Sequence, residues 1–206
     1  MSKILQVLLI VVVTLAGLAT AGLLYVRSTG LVARSEPGTL EARFARRVRS
    51  LAVPRDISMQ ENPIPRSPES LADGRAHYAD HCAVCHANDG SGQTDMGRGM
   101  WPKAPDMRLS TTQALSDGEL FWIIENGIRF TGMPGWSTGT KEGEEASWHL
   151  VHFIRHLPDI SEPELEEMEA LNPRSPVEVR EEIEAERFLR GDDVAPAEAA
   201  APTHAH

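Results

Sequence analysis

The longest apolar run of the chain covers residues 4–26 and contains no charged side chain. A stretch of this length is enough for a helix that crosses a hydrocarbon core about 30 Å thick. The sequence Ala19-Thr20-Ala21 is a usable signal-peptidase site, but a signal peptide has a shorter apolar core of about 7–15 residues. We therefore predict a transmembrane anchor or signal-anchor over residues 1–27.

Residues 28–69 contain a basic helical pattern followed by a Pro-rich stretch. Within residues 38–56, apolar side chains recur at helical spacing among four arginines, at Leu40, Phe44, Val48 and Leu51, and Pro54 ends the pattern. This pattern predicts an amphipathic helix, which is either a solvated connector or a helix that lies on anionic lipid headgroups. Three prolines then predict an extended linker, at Pro63, Pro65 and Pro68.

Three helical patterns without any alternating strand pattern predict an all-α domain over residues 70–158. The first pattern begins at a cap-like Ser70 and runs into two cysteines, and the second runs from Ser116 to Gly127. The third ends at Pro158 and has one apolar face, formed by Trp148, Val151, Ile154 and Leu157. The Gly- and Pro-rich loops between them are long for so small a domain, which indicates that they wrap around something.

Residues 159–191 have the pattern of two capped helices with an acidic outer face. Ser161 with Glu164 and Ser175 with Glu178 have capping-box spacing. The apolar residues are too few for a separate core, so we expect this extension to pack on the preceding domain or to dock a partner. The Ala/Pro-rich tail over residues 192–206 is typical of disorder and ends in two histidines that offer at most a weak metal site.

The net charge of −10 is unevenly distributed, with −5 over residues 61–157 and −10 over residues 158–206. An acidic chain is a poor nucleic-acid binder. Its charge favours a protein partner with a basic docking patch. In the third helical pattern, His149, His152 and His156 form one stripe, which we expect to be solvated.

The two cysteines lie in the sequence Cys82-Ala83-Val84-Cys85-His86, which fits three chemistries. Zinc binding would recruit His152 and His156, but 66 residues separate the two pairs, against roughly 12–15 in a zinc finger. A redox disulfide of this spacing usually lies near a βαβ unit, and no strand pattern occurs. Haem attachment uses both thiols to bind the vinyl groups and His86 as an axial iron ligand. We therefore predict one covalent haem c.

A second axial ligand is expected among the methionines. Met96, Met100 and Met107 follow His86 by only 10, 14 and 21 residues, which leaves little chain to pass around the edge of the macrocycle. Met133 follows by 47 residues and lies in a Gly- and Pro-rich loop, where the backbone can approach the cofactor closely. The spacing therefore favours Met133 as the ligand opposite His86.

With these features the chain resembles the class I c-type cytochromes, in particular the membrane-anchored bacterial mono-haem type. Gly74 and Tyr78 stand eight and four residues before Cys82, as in that family's first helix. The resemblance implies that Gly74 crosses the last helix near Trp148 and either Val151 or Ile154. It also implies that the carbonyl of Pro105, in the sequence APDM, accepts a hydrogen bond from His86, a contact that tunes the metal.

The family resemblance implies a cytochrome c-like helical domain around one haem, with an N-terminal transmembrane helix and an acidic helical extension. It further implies a bacterial inner-membrane protein with a single span and the haem domain in the periplasm. The expected function is one-electron transfer through His/Met-ligated haem c, without catalytic residues, in a respiratory or dehydrogenase-linked chain. The alternatives are a haem-bearing subunit of a larger oxidoreductase and a haem-based gas or redox sensor.

Overall fold

The computed structural model describes residues 2–30 and 32–191, and in these ranges the chain forms helices and no strand. The predicted tail over residues 192–206, with His204 and His206, lies outside the described residues. The α-helices are α1 (Lys3–Thr29), α2 (Thr39–Ala52), α3 (Arg55–Ser58), α4 (Pro68–His77), α5 (Ala83–His86), α6 (Asp95–Gly99), α7 (Ser110–Gln113), α8 (Asp117–Asn126), α9 (Lys141–His156), α10 (Glu162–Leu171) and α11 (Pro176–Arg190). The all-α fold class is therefore confirmed.

The core of the domain forms where α4 crosses α9. The fully buried Tyr78 packs on Phe153 with ring centroids 5.0 Å apart. The predicted apolar face of α9 is buried as expected. The predicted neighbours of Gly74 are wrong by one helical position, because the backbone of His149 and the side chain of Phe153 lie closest to it. Trp148 instead turns toward α8 and stacks on Phe121.

The N-cap of helix α4 lies three residues before the predicted one. Ser67 is the N-cap, and the hydroxyl of Ser70 reaches back to complete a capping box. Pro68 fits the first helical position because its fixed φ is preorganised for a helix and its missing N–H has no partner to lose there. The chain continues through a π-helical turn, Tyr78–Cys82, into α5. This continuous helical segment carries both cysteines and His86.

The predicted ends of α8 are confirmed, and the Pro-rich linker packs against this helix and α9. Ser116 caps α8 through its hydroxyl and Gly127 ends the helix with φ +66°. The Ser116 hydroxyl also donates to the carbonyl of Ser58 over 2.7 Å. The Asn62 amide donates to the carbonyl of Trp148 over 2.9 Å. The start of the linker, from Ser58 to Asn62, is therefore held on the helical domain by hydrogen bonds.

The prediction of a solvated histidine stripe on α9 is wrong. His152 is buried, with Nε2 2.7 Å from the carbonyl oxygen of Ile64. His156 Nε2 lies 2.8 Å from a carboxylate oxygen of Glu164 in α10. The linker and α10 cover this stripe, and neither packing contact can be deduced from the pattern of α9 alone.

The C-terminal extension divides into a packed helix and an exposed one. In α10, Met168 is fully buried and Glu164 forms a 3.4 Å ion pair with Arg75 of α4. Both predicted capping boxes are present, at Ser161 and Ser175. Helix α11 buries none of its residues. The expectation that the extension packs on the domain is thus right for α10, while α11 leaves its apolar side chains exposed.

Helix α1 is long and apolar enough to cross a membrane, with a mean hydropathy of 2.6 over its most apolar window. No residue of α1 is buried against the rest of the described chain. Helix α2 forms as predicted, and its apolar side chains are exposed, namely Leu40, Phe44, Val48 and Leu51.

Candidate functional site

A mostly apolar cavity opens between the cysteine-bearing segment, α8, α9 and the loops that join them. Its empty volume is about 1070 Å³, which includes space open to solvent. Five predicted site residues line this one cavity: Cys82, Cys85, His86, Pro105 and Met133. The fold therefore brings together groups that are up to 51 positions apart in the sequence.

His86 is buried in an environment that keeps its imidazole neutral. Burial lowers its pKa to about 4, although the nearby Pro105 carbonyl raises it. Nδ1 has no partner at hydrogen-bonding geometry among the described residues, and the bond to the Pro105 carbonyl that the family resemblance implies stays a prediction. A neutral imidazole is the form that ligates a metal. A buried, unpartnered ring at the wall of an apolar cavity fits an axial ligand.

Cys82 and Cys85 are free thiols at the cavity wall. Burial raises the pKa of Cys82 to about 12, with a further contribution from Cys85. The two thiols form no disulfide. The histidines of the zinc alternative are engaged elsewhere, His152 with Ile64 and His156 with Glu164. Across the described residues, no cluster of three or more metal-binding side chains occurs, so the geometry does not favour zinc.

Three methionines line the cavity, namely Met100, Met107 and Met133. Met96 is exposed and does not line the cavity. The Met107 sulfur lies 3.9 Å from the Tyr78 hydroxyl, which donates to it, so Met107 already has a structural role. Met100 Sδ lies against Gly132, 2.8 Å from the position of a Cβ at that residue. The short sequence distance from His86 therefore does not keep Met100 away from the Met133 loop.

The loop that carries Met133 is fixed by its own backbone. The Ile128 N–H donates to the Met133 carbonyl over 3.1 Å, and the Met133 N–H donates to the Thr131 hydroxyl over 3.1 Å. Gly127, at φ +66°, packs against the backbone of Pro134, where a Cβ would lie 2.5 Å from the carbonyl carbon. The loop is thus held at the cavity by close backbone contacts that glycine permits.

Comparison with known proteins agrees with this site. The family model described as cytochrome C oxidase, cbb3-type, subunit III, matches residues 69–154. This segment is a class I c-type cytochrome domain. A domain of this family indicates haem-based electron transfer. The matched residues contain the whole predicted ligand set, from Cys82 to Met133, and end within α9.

One solved structure with similarity to the chain is the reducing HAO-like protein complex of Kuenenia stuttgartiensis. The similarity covers 46% of this chain and 46% of that chain, with 18% sequence identity and a TM-score of 0.42. The alignment therefore spans about half the length of each. No curated protein matches the sequence.

The cavity of the cytochrome domain also contains two cationic side chains that the sequence analysis did not identify. Arg49 comes from α2, outside the matched segment, and Lys103 comes from the loop after α6. Lys103 Nζ pairs with the carboxylate of Glu36. No sequence signal separates Arg49 from the other arginines of α2, because only the fold decides which of them faces the cavity.

Proposed function

We propose that the chain is a one-electron carrier with one covalently attached haem c. The observation that supports this function is the convergence of Cys82, Cys85, His86 and Met133 on one apolar cavity. The haem would supply a reversible ferrous/ferric couple. No catalytic residue is proposed, because an outer-sphere electron transfer needs no group that makes or breaks a bond in a substrate.

Each residue of the site has one role in this proposal. Cys82 and Cys85 form thioether bonds to the cofactor, which fixes it in the cavity. His86 and Met133 would be the two protein ligands of the iron. Thioether ligation raises the reduction potential relative to a bis-histidine site. The apolar walls restrict access of water to the iron, which also affects the potential.

We further propose that α1 anchors the protein in the bacterial inner membrane by a single span, with the cytochrome domain in the periplasm. The length and apolar composition of α1 support the anchor. The expected attachment of haem c on the outer side of the membrane supports the orientation. The redox donor and acceptor are then proteins at the same membrane surface, and a basic docking patch would complement the acidic domain.

A second candidate is a haem-bearing subunit of a larger oxidoreductase. The description of the matching family names a subunit of an oxidase. Helix α11 also supports this candidate, because it exposes large apolar side chains, among them Val179, Ile183, Phe188 and Leu189. In a fixed complex such side chains would be covered by a neighbouring subunit.

Denaturing electrophoresis of the purified full chain tests the proposal. Peroxidase-active haem should stay on the polypeptide of the unmodified protein and be lost when both Cys82 and Cys85 are replaced by serine. Release of unbound porphyrin from the unmodified chain, or recovery of stoichiometric zinc, would contradict the haem c site. Rapid carbon monoxide binding by the reduced protein would favour a sensor with an open iron position over a six-coordinate carrier.

A further inference from the structure

The permanent charges that line the cavity are all positive. Arg49 and Lys103 are the permanently cationic side chains in its wall, and no Asp or Glu of the described residues lines it. Arg49 lies 20 residues before the start of the matched segment. The connector between the apolar helix and the cytochrome domain therefore contributes a positive charge to the cofactor cavity.

The two cations differ in whether they already have a partner. Lys103 pairs with Glu36. Arg49, within the part of the chain that the structure describes, donates to no hydrogen-bond acceptor and forms no ion pair. Burial lowers the pKa of Arg49, the charge of Glu119 raises it, and the charge of Arg46 lowers it. A partly buried cation without a partner is destabilising, and an anion in the cavity would offset that cost.

Packing at the end of α2 positions Arg49 at the cavity. Val53, the residue that ends α2, is buried with only 6% of its surface exposed. Directly after it, α3 packs on the first turn of α8 so closely that Gly118 has no room for a side chain beside the carbonyl of Ile57. Because α2 leads directly into these contacts, the last turn of α2 has a fixed position relative to the cavity.

We propose that Arg49 binds a propionate carboxylate of the haem. This inference rests on the proposed haem site. A haem bears two propionate groups, and a guanidinium pairs with a carboxylate through two parallel hydrogen bonds. The same positive charge favours the ferrous form, which carries one positive charge fewer than the ferric form. Arg49 is thus a positioning residue by which a segment outside the cytochrome domain sets the reduction potential.

The test uses the full-length, haem-loaded protein in detergent, with three variants. Arg49→Gln removes the charge, Arg49→Lys keeps it with a different geometry, and Arg47→Gln removes an exposed charge of the same helix as a control. The measurements are the midpoint potential and the propionate bending band in the resonance Raman spectrum. We expect Arg49→Gln to lower the potential and shift the band, Arg49→Lys to shift the band with a smaller loss of potential, and Arg47→Gln to change neither.

An unchanged propionate band in both Arg49 variants would overturn the assignment, even if the potential moved. Equal potential shifts in Arg49→Gln and Arg47→Gln would also overturn it, since they would indicate a general charge effect. If Arg49→Gln does not accumulate with haem, the propionate band of Arg49→Lys decides: a shifted band supports the assignment, and an unchanged band overturns it. Failure of the proposed haem site would appear differently, as absence of covalent haem from the unmodified protein.

Discussion

Gly74 of α4 lies directly against the backbone carbonyl of His149 in α9, so the two helices cross with no side chain between them. Phe153 Cβ lies 3.1 Å from the position that a Cβ on residue 74 would take. This crossing places the end of α4, and with it the cysteine-bearing turn, at a fixed distance from α9. The contact therefore determines the geometry of one wall of the cavity that Cys82, Cys85 and His86 line.

Gly74→Ala should strongly destabilise the cytochrome domain. The added methyl group meets backbone atoms of His149 that cannot rotate away, so the helices must separate. We expect a loss of about 3 kcal/mol in the free energy of unfolding, the upper end of common overpacking costs. Denaturant unfolding of the two proteins measures the difference.

The matched control is Gly99→Ala, because a Cβ at Gly99 meets no heavy atom within 4 Å. This variant should change the free energy of unfolding by less than about 0.5 kcal/mol, as surface substitutions commonly do. Equal stability of Gly74→Ala and the unmodified protein would show that the crossing can relax, which would contradict the packing argument.

Local signals were enough to predict the haem motif, the ends of α8 and the buried face of α9, because each depends on residues close in sequence. The partners of the α9 histidines were not predictable, since His152 is covered by the linker and His156 by α10. The position of Met100 was not predictable either, because it also depends on contacts between residues distant in sequence. Sequence spacing suggests that its reach is too short, yet a bend in the chain brings its sulfur against Gly132 in the Met133 loop.

Glu164→Gln should reduce stability at neutral pH and have a smaller effect in acid. Burial raises the pKa of Glu164, but hydrogen bonds from Ser161 and His156 outweigh it and lower the pKa to about 2. A carboxyl group whose pKa is lower in the folded state stabilises the fold at pH values above its pKa in the unfolded state. This contribution is lost as the pH falls toward 2. Because Glu164 and His156 are partly accessible to solvent, we expect Glu164→Gln to lower the free energy of unfolding by about 1 kcal/mol at pH 7.

Thermal unfolding of the two proteins between pH 7 and pH 2.5 tests this expectation, with Glu166→Gln as an exposed control on the same helix. The two stability curves should converge in acid for Glu164→Gln and coincide throughout for Glu166→Gln. A stability difference that stayed constant from pH 7 to pH 2.5 would indicate that the charge of Glu164 is not responsible.

Met133→Ala should abolish the weak sulfur-to-iron charge-transfer absorbance at the red end of the ferric spectrum and lower the reduction potential. The reason is that the proposed thioether ligand favours the ferrous form of the iron. Met100→Ala is the sharpest comparison because the two residues belong to the same wall of the cavity. It should retain the band. Loss of the band in Met100→Ala, with retention in Met133→Ala, would assign the ligand to Met100.

Electron transfer to a small basic redox protein should slow as salt rises, because residues 61–157 carry a net charge of −5 and residues 158–206 a net charge of −10. Screening lengths fall from roughly 30 Å at 0.01 M salt to about 8 Å at 0.15 M, and steered association depends on the unscreened field. We expect a decrease of about tenfold in the second-order rate constant over this range. Stopped-flow measurements on the full chain in detergent give the rate.

Removal of residues 175–206 separates the contribution of the extension from that of the domain. This segment carries three arginines and eight acidic residues, and α11 buries no side chain, so its loss should leave the cytochrome domain folded. The shortened protein should react more slowly with the basic protein at low salt and equally fast at 0.15 M salt. Rate constants that change with neither salt nor truncation would mean that charge does not steer the encounter, and would favour a cytochrome held in a permanent complex through the exposed apolar side chains of α11.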